Sequence, residues 1–176
     1  MSAPARPSTM MSATPARPAA PPRVQLVAFR VGGASYAVDV FSVERVLRYE
    51  SPRPIPNVPA WLEGVIDYGG SVVPVIDLRT RFDLPLADDR SNARIVVFVH
   101  GDERVAASVD AVDEVATVDE AAMEEPPPIF RGLARQYLRA LVRRGDTVTV
   151  VLDAAQLLNS RERIVLDQAM AETRNG

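Results

Sequence analysis

This chain predicts a mainly β protein, made of two small, pseudo-symmetric β-barrels packed together with short helices. Three observations point there. The stretch Gly64 to Asp77, GVIDYGGSVVPVID, returns 76 positions later as ALVRRGDTVTVVLD, with Gly69 on Gly145 and Asp77 on Asp153. A second echo precedes it at an offset of 69, where Phe29, Gly32, Ala37, Val40, Val43 and Val46 correspond to Phe98, Gly101, Ala106, Val109, Val112 and Val115. Each repeat offers about five short runs rich in β-branched residues, and a sheet that small hides its edges best by curling into a barrel. Two units in tandem leave a groove between them, which suits binding better than chemistry.

Residues 1–23 are a Pro-, Ala- and Arg-rich segment with no hydrophobic period. Prolines interrupt it throughout, so it has no signal-peptide core, and it buries too little apolar surface to order itself. The expectation is a disordered tail. Val24 to Val31 reads as a strand, Gly32-Gly33 as a turn and Ser35 to Asp39 as the returning strand. Val40, Val43, Val46 and Leu47 then follow helical spacing, which predicts a helical turn. Prolines 52, 54, 56 and 59 enforce an extended connection. A hairpin follows, Glu63 to Tyr68 and Val72 to Ile76, turning at Gly69-Gly70, and Asp77 caps a short helix from Leu78 to Phe82. Residues 83–92 form a polar linker.

The second unit repeats this plan. Strands run from Ala93 to Val99 and from Arg104 to Val109 around Gly101-Asp102. Val112 and Val115 repeat the helical spacing, with a strand over Glu114 to Val118 as the competing reading. After a Glu-Glu-Pro-Pro-Pro loop comes the hairpin Tyr137 to Arg143 and Thr147 to Leu152, then a helix from Asp153 to Leu158. A last helix runs from Ser160 to about Ala171, with Ile164, Val165 and Met170 as the positions that pack back on the body.

Composition excludes much. The 176 residues contain no cysteine, which removes disulfides, thiolate metal sites and thiol nucleophiles. All 20 basic residues are arginine, so lysine chemistry is absent. A net charge of −3 gives no footprint for nucleic acid, and no apolar run is long enough to span a membrane. Asp77 and Asp153 sit at equivalent strand ends and invite an acid–base reading. Their place before a helix favours capping instead. His100 is the only histidine and has no companion ligands, so a surface turn is its reading. The serines lie in no nucleophile-elbow context, and neither glycine pair forms a phosphate cradle. No catalytic, cofactor or metal site is predicted. The acidic middle of the second unit, from Asp110 to Glu125, reads as a solvated face.

Gly64 to Arg79, GVIDYGGSVVPVIDLR, is similar to the hallmark segment of the chemotaxis coupling family, the CheW-like domain. Phe29 to Gly32, Tyr36 to Asp39, Val43 to Val46, Ile55 to Pro59, Tyr137-Leu138 and Leu157 to Ser160 carry the same resemblance, which spans about residues 24–168. It implies two five-stranded, SH3-like barrels, with lobes at about 24–88 and 93–158, a C-terminal helix and a flexible end over 169–176. It implies a cytoplasmic, non-catalytic adaptor without cofactor, recruited to membrane-associated receptor arrays and not inserted in the membrane. Its implied partners are the regulatory domain of a CheA-type histidine kinase and the cytoplasmic tip of a methyl-accepting chemoreceptor. The alternative is a repurposed module that binds receptors or regulators without activating a kinase. Candidate partner contacts are Val43, Arg45, Asp67, Tyr68, Gly69 and Gly70. Two of them depart from the family pattern: Gly69 stands where arginine is usual, and Arg45 where glutamate is common. Changing such a charge costs about 2–5 kcal/mol against an unchanged partner, which implies a co-adapted kinase or receptor.

Overall fold

The computed structural model describes residues 2–5, 15–128, 133–158 and 160–174. The first hairpin is β1 (Arg23–Val31) with β2 (Ala34–Asp39), followed by a 3₁₀ turn, Val40–Ser42, and β3 (Val43–Arg48). A second hairpin, β4 (Leu62–Tyr68) and β5 (Ser71–Asp77), leads into α1 (Leu78–Arg81). The repeat follows as β6 (Arg94–His100), β7 (Glu103–Val109), β8 (Ala111–Asp119), the two-residue β9 (Met123–Glu124), α2 (Leu133–Tyr137), β10 (Leu138–Arg144) and β11 (Thr147–Leu152). The chain closes with a 3₁₀ turn, Ala154–Gln156, and α3 (Ser160–Arg174).

Two antiparallel-rich sheets result, ordered β8-β1-β2-β11-β10-β9 and β3-β6-β7-β5-β4. One has a sixth, two-residue strand beyond the five expected. The other has an isolated bridge, Arg53 to Val65, in the place where β9 meets Leu141. The lobes do not follow the division at 88/93. Each sheet takes the first hairpin of one repeat and the later strands of the other: β1 and β2 join β8, β10 and β11, while β6 and β7 join β3, β4 and β5. The cause lies at the ends of β2 and β7. There the 3₁₀ turn Val40–Ser42, and the single residue Asp110, carry the chain across to the opposite sheet.

Burial explains why the strands are so continuously apolar. One face of the six-stranded sheet encloses Leu26, Ala37, Ala140, Val142 and Val151, and one face of the other encloses Val73, Val75, Ile95, Val97 and Ala106. The remaining faces meet in a shared core that includes Val27, Phe29, Val38, Ile76, Val96, Phe98, Ala107 and Leu152. Consecutive residues of β6, from Ile95 to Phe98, therefore alternate between two apolar interiors, and neither face needs polar residues.

Three expectations are corrected. Residues 43–48 and 111–119 are strands, with 3₁₀ turns only beside them, at Val40–Ser42 before the first and Glu120–Ala122 after the second. Each strand takes part in a register shift, at Val43/Arg45 in β3 and opposite Ala28/Phe29 in β8. The extra residue puts Val43 and Val46 on one face, opposite Phe98 and Val96, and so imitates a helical period. The C-terminal stretch from 169 is helical through Arg174. On α3 the buried residue is Leu166, with Met170 packed beside the shared core; Val165 is exposed, and the side chain of Ile164 lies outside the described residues. At the other end β1 begins at Arg23, and residues 2–5 and 15–22 are exposed without regular structure.

A polar network secures the linker to the five-stranded barrel. Glu63 accepts from Tyr49, Ser108 (2.7 Å) and Arg90 (2.8 Å), and the Arg90 guanidinium lies 4.8 Å over the Tyr49 ring. Burial first, and then the bond to Glu63, push the Tyr49 hydroxyl above its ordinary pKa.

Candidate partner-binding surface

β3 and β4 are the two end strands in the order of the five-stranded sheet, and the candidate residues divide between them. Val43 is half-buried against the shared core, whereas Arg45 is exposed and forms no ion pair among the described residues. Asp67, Gly69 and Gly70 are exposed at the tip of the β4–β5 hairpin. The turn glycines have φ values of 57° and 80°, the left-handed pair that a tight two-residue hairpin demands. Tyr68 is half-buried, and both it and Leu47 of β3 pack on the inner cluster of that barrel. The curled sheet thus brings the two groups to one interior from opposite edges. Val43 and Tyr68 serve packing as well as surface.

Sequence reasoning missed the most exposed feature of this region. Phe41, in the turn that passes between the sheets, is 86% exposed, and Val46 on β3 is 39% exposed. The turn is held by the Asp39 carboxylate, which accepts from the Phe41 backbone N–H at 2.9 Å and faces Arg139 at 3.4 Å. Beside them Glu44 accepts a two-pronged contact from Arg104, at 2.6 and 3.1 Å. That bond, opposed by slight desolvation, holds the Glu44 carboxyl below the usual range. The available signal was an aromatic two residues after a capping aspartate, masked by the nearby valines 38, 40 and 43.

The residues weighed for chemistry are structural. Asp77 and Asp153 each accept from the backbone N–H two residues on, Arg79 and Ala155, at 3.0 Å. His100 ends β6 opposite Glu103 and is exposed. Among the described residues no group of three or more His, Asp or Glu side chains could hold a metal, and no helix is long and apolar enough to cross a membrane.

The family model described as the CheW-like domain matches residues 25–162. The chain belongs to the CheW-like family. It is 31% identical over 147 residues to the chemotaxis protein CheW of Bacillus subtilis, covering 82% of this chain and 94% of that protein. It is 30% identical over 142 residues to CheW of Treponema pallidum, covering 78% and 84%. The crystal structure of the scaffolding protein TtCheW of Thermoanaerobacter tengcongensis superposes with a TM-score of 0.73 at 28% identity, covering 81% of this chain and 97% of that one. The interlaced pair of β-barrels is thus a family architecture.

Proposed function

We propose that this chain is a non-catalytic, cytoplasmic adaptor that couples the tips of chemoreceptors to the regulatory domain of a CheA-type histidine kinase, at membrane-associated arrays. The observation that carries this reading is the pair of exposed apolar side chains Phe41 and Val46, one in the turn that crosses between the barrels and one on the edge strand β3 that follows it, in a chain of the CheW-like family. An edge strand offers unpaired backbone groups to a partner, and an exposed aromatic beside it supplies the desolvated anchor that interfaces concentrate their energy on. Arg45 adds an exposed cation with no ion pair among the described residues, and the Gly69-Gly70 turn at the tip of the β4–β5 hairpin is exposed and carries no side chains. That is a pattern suited to a partner carrying a carboxylate and closely approaching backbone.

Calorimetric titration against the regulatory domain of the kinase from the same organism tests the reading. Saturable binding at micromolar Kd or better is expected, weakened about tenfold, ~1.4 kcal/mol, by Arg45→Glu, and weakened again by Phe41→Ser. Leu86→Ala, at an exposed position in the linker, leaves affinity unchanged. Absence of binding to any such kinase overturns the proposal.

A further inference from the structure

The two barrels repeat each other's registers but not each other's filling. Ala116 stands opposite Leu26 as Leu47 stands opposite Ile95, and Ala28 opposite Ala37 as Val97 opposite Ala106. Val142 faces Thr149 as Ile66 faces Val73, and Arg144 faces Thr147 as Tyr68 faces Ser71. In the five-stranded barrel Leu47, Val73, Val97 and Tyr68 belong to the inner cluster or pack on it. The six-stranded barrel has Ala116, Thr149, Ala28 and Arg144 in those four places. Tyr68 packs inward, whereas Arg144 reaches Glu114 of β8 at 2.7 Å.

The smaller side chains leave a concavity of about 210 Å³. Its apolar walls are Leu26, Ala28, Ala37, Ala116 and Val142, all buried. Val118 and Met123 pack on the same interior without lining the concavity, which opens beside the β1–β2 and β10–β11 turns. Ser35 and Thr149 supply polar atoms on its wall: their hydroxyls lie 3.0 Å apart, and Thr149 is buried. Their one shared hydrogen bond leaves that pair a hydroxyl proton and free lone pairs. At the mouth Arg144 is paired with Glu114, and Asp113 with Arg30 at 3.0 Å. The two acids there are each matched by an arginine.

We propose that the mouth of the six-stranded barrel binds a small neutral molecule with an apolar body and one hydroxyl group. An apolar cavity of about 150 Å³ takes benzene, and drug-sized ligands occupy about 300–1,000 Å³, so the volume suits a body the size of a substituted benzene ring. A charged head would have to break the Arg144–Glu114 or the Arg30–Asp113 pair, and the aliphatic walls offer it nothing in return. A hydroxyl meets Ser35 and Thr149 as donor and acceptor together. The cavity lies at the Ser35 end of β2, whereas Phe41 follows the other end, and the inference does not depend on the adaptor reading.

The test is an amide NMR titration of the ¹⁵N-labelled full chain with p-cresol, an apolar ring bearing one hydroxyl. Saturable shifts centred on Ala28, Ala37, Ala116 and Thr149 are expected, with a Kd of about 1 mM or tighter, a range open to so small a ligand. Replacing p-cresol by toluene, or Thr149→Val in the protein, should each weaken binding about fivefold, the worth of one hydrogen bond. Ala116→Leu and Ala28→Val give this barrel the side chains of its twin and should abolish the shifts. Phe41→Ala should bind as before, and each variant's own spectrum reports whether it is folded. No saturable binding, shifts centred outside the six-stranded barrel, or undiminished binding in a folded Ala116→Leu or Ala28→Val variant would overturn the proposal. So would equal affinity for toluene or for 4-methylbenzoate, which would remove the hydroxyl or the neutrality from the recognition.

Discussion

Gly64 has no room for a side chain. A Cβ there would sit 2.3 Å from the Arg53 carbonyl oxygen and 2.8 Å from its carbon, at a φ of 154°. The close approach exists because Arg53 and Val65 exchange backbone hydrogen bonds of 2.8 and 2.9 Å across the isolated bridge that closes the barrel. Gly64→Ala must break that bridge or push the strand outward. It should cost about 2–3 kcal/mol in urea unfolding, near the upper end of ordinary overpacking. Gly69 is the contrasting case, with φ at 57° and nothing within 4 Å. Gly69→Arg, which restores the usual family residue, should cost only the left-handed backbone penalty of about 1–2 kcal/mol. Equal losses from the two substitutions would contradict this account.

At the scale of elements, the paired aspartate caps are alike in geometry and unequal in environment. Asp77 is buried and also accepts from the Thr80 hydroxyl at 2.9 Å, with Arg90 3.8 Å away, whereas Asp153 is half-buried at the start of a single 3₁₀ turn. Removing a capping side chain costs about 0.5–2 kcal/mol. Asp77→Ala should lie at the top of that range and Asp153→Ala near the bottom, as read by denaturant midpoints at unchanged slope. The cap also presents Arg79, whose guanidinium grips Asp110 at 2.7 and 2.6 Å and so ties α1 to the start of β8. Asp110 further accepts from the Gly32 N–H at 2.8 Å. Desolvation opposes its charge, yet the bonds from Arg79 and Gly32 prevail and hold its pKa below the usual carboxylate value. A depressed carboxylate stabilises the fold above its unfolded pKa, about 3.9, and that contribution is lost as pH falls through the lower folded value. Thermal melts from pH 7 downward should therefore show an acid limb that is shallower in Asp110→Asn. An unchanged limb would place the pH dependence elsewhere.

Across the whole molecule, interlacing makes the barrels inseparable. Neither repeat owns a complete sheet, and the core between the sheets draws on β1, β2, β5, β6, β7 and α3 together. Division of the chain in the linker at 89/90 should therefore yield two fragments that each lack a dispersed NMR spectrum and regain one when mixed. The intact protein should unfold in one transition by calorimetry and by circular dichroism alike. A fragment that folds alone would restore the sequential lobes at 24–88 and 93–158.

The sequence by itself determined the features whose causes are local. Gly-Gly and Gly-Asp turns set the hairpins, since left-handed turn residues and β-branched flanks act within a few positions. Asp77 and Asp153 announced their caps for the same reason, and the repeat announced two equivalent units. Tertiary structure alone decided which hairpin joins which sheet, because β1 with β8 and β3 with β6 are long-range pairings chosen by the burial of both faces. It also decided the bulge that gave Val43 and Val46 a helical spacing, the exposure of Phe41, and the register at which β5 joins β7. Exposure is a property of what fails to pack against a residue, and no window of sequence around Phe41 contains the strands that leave it uncovered.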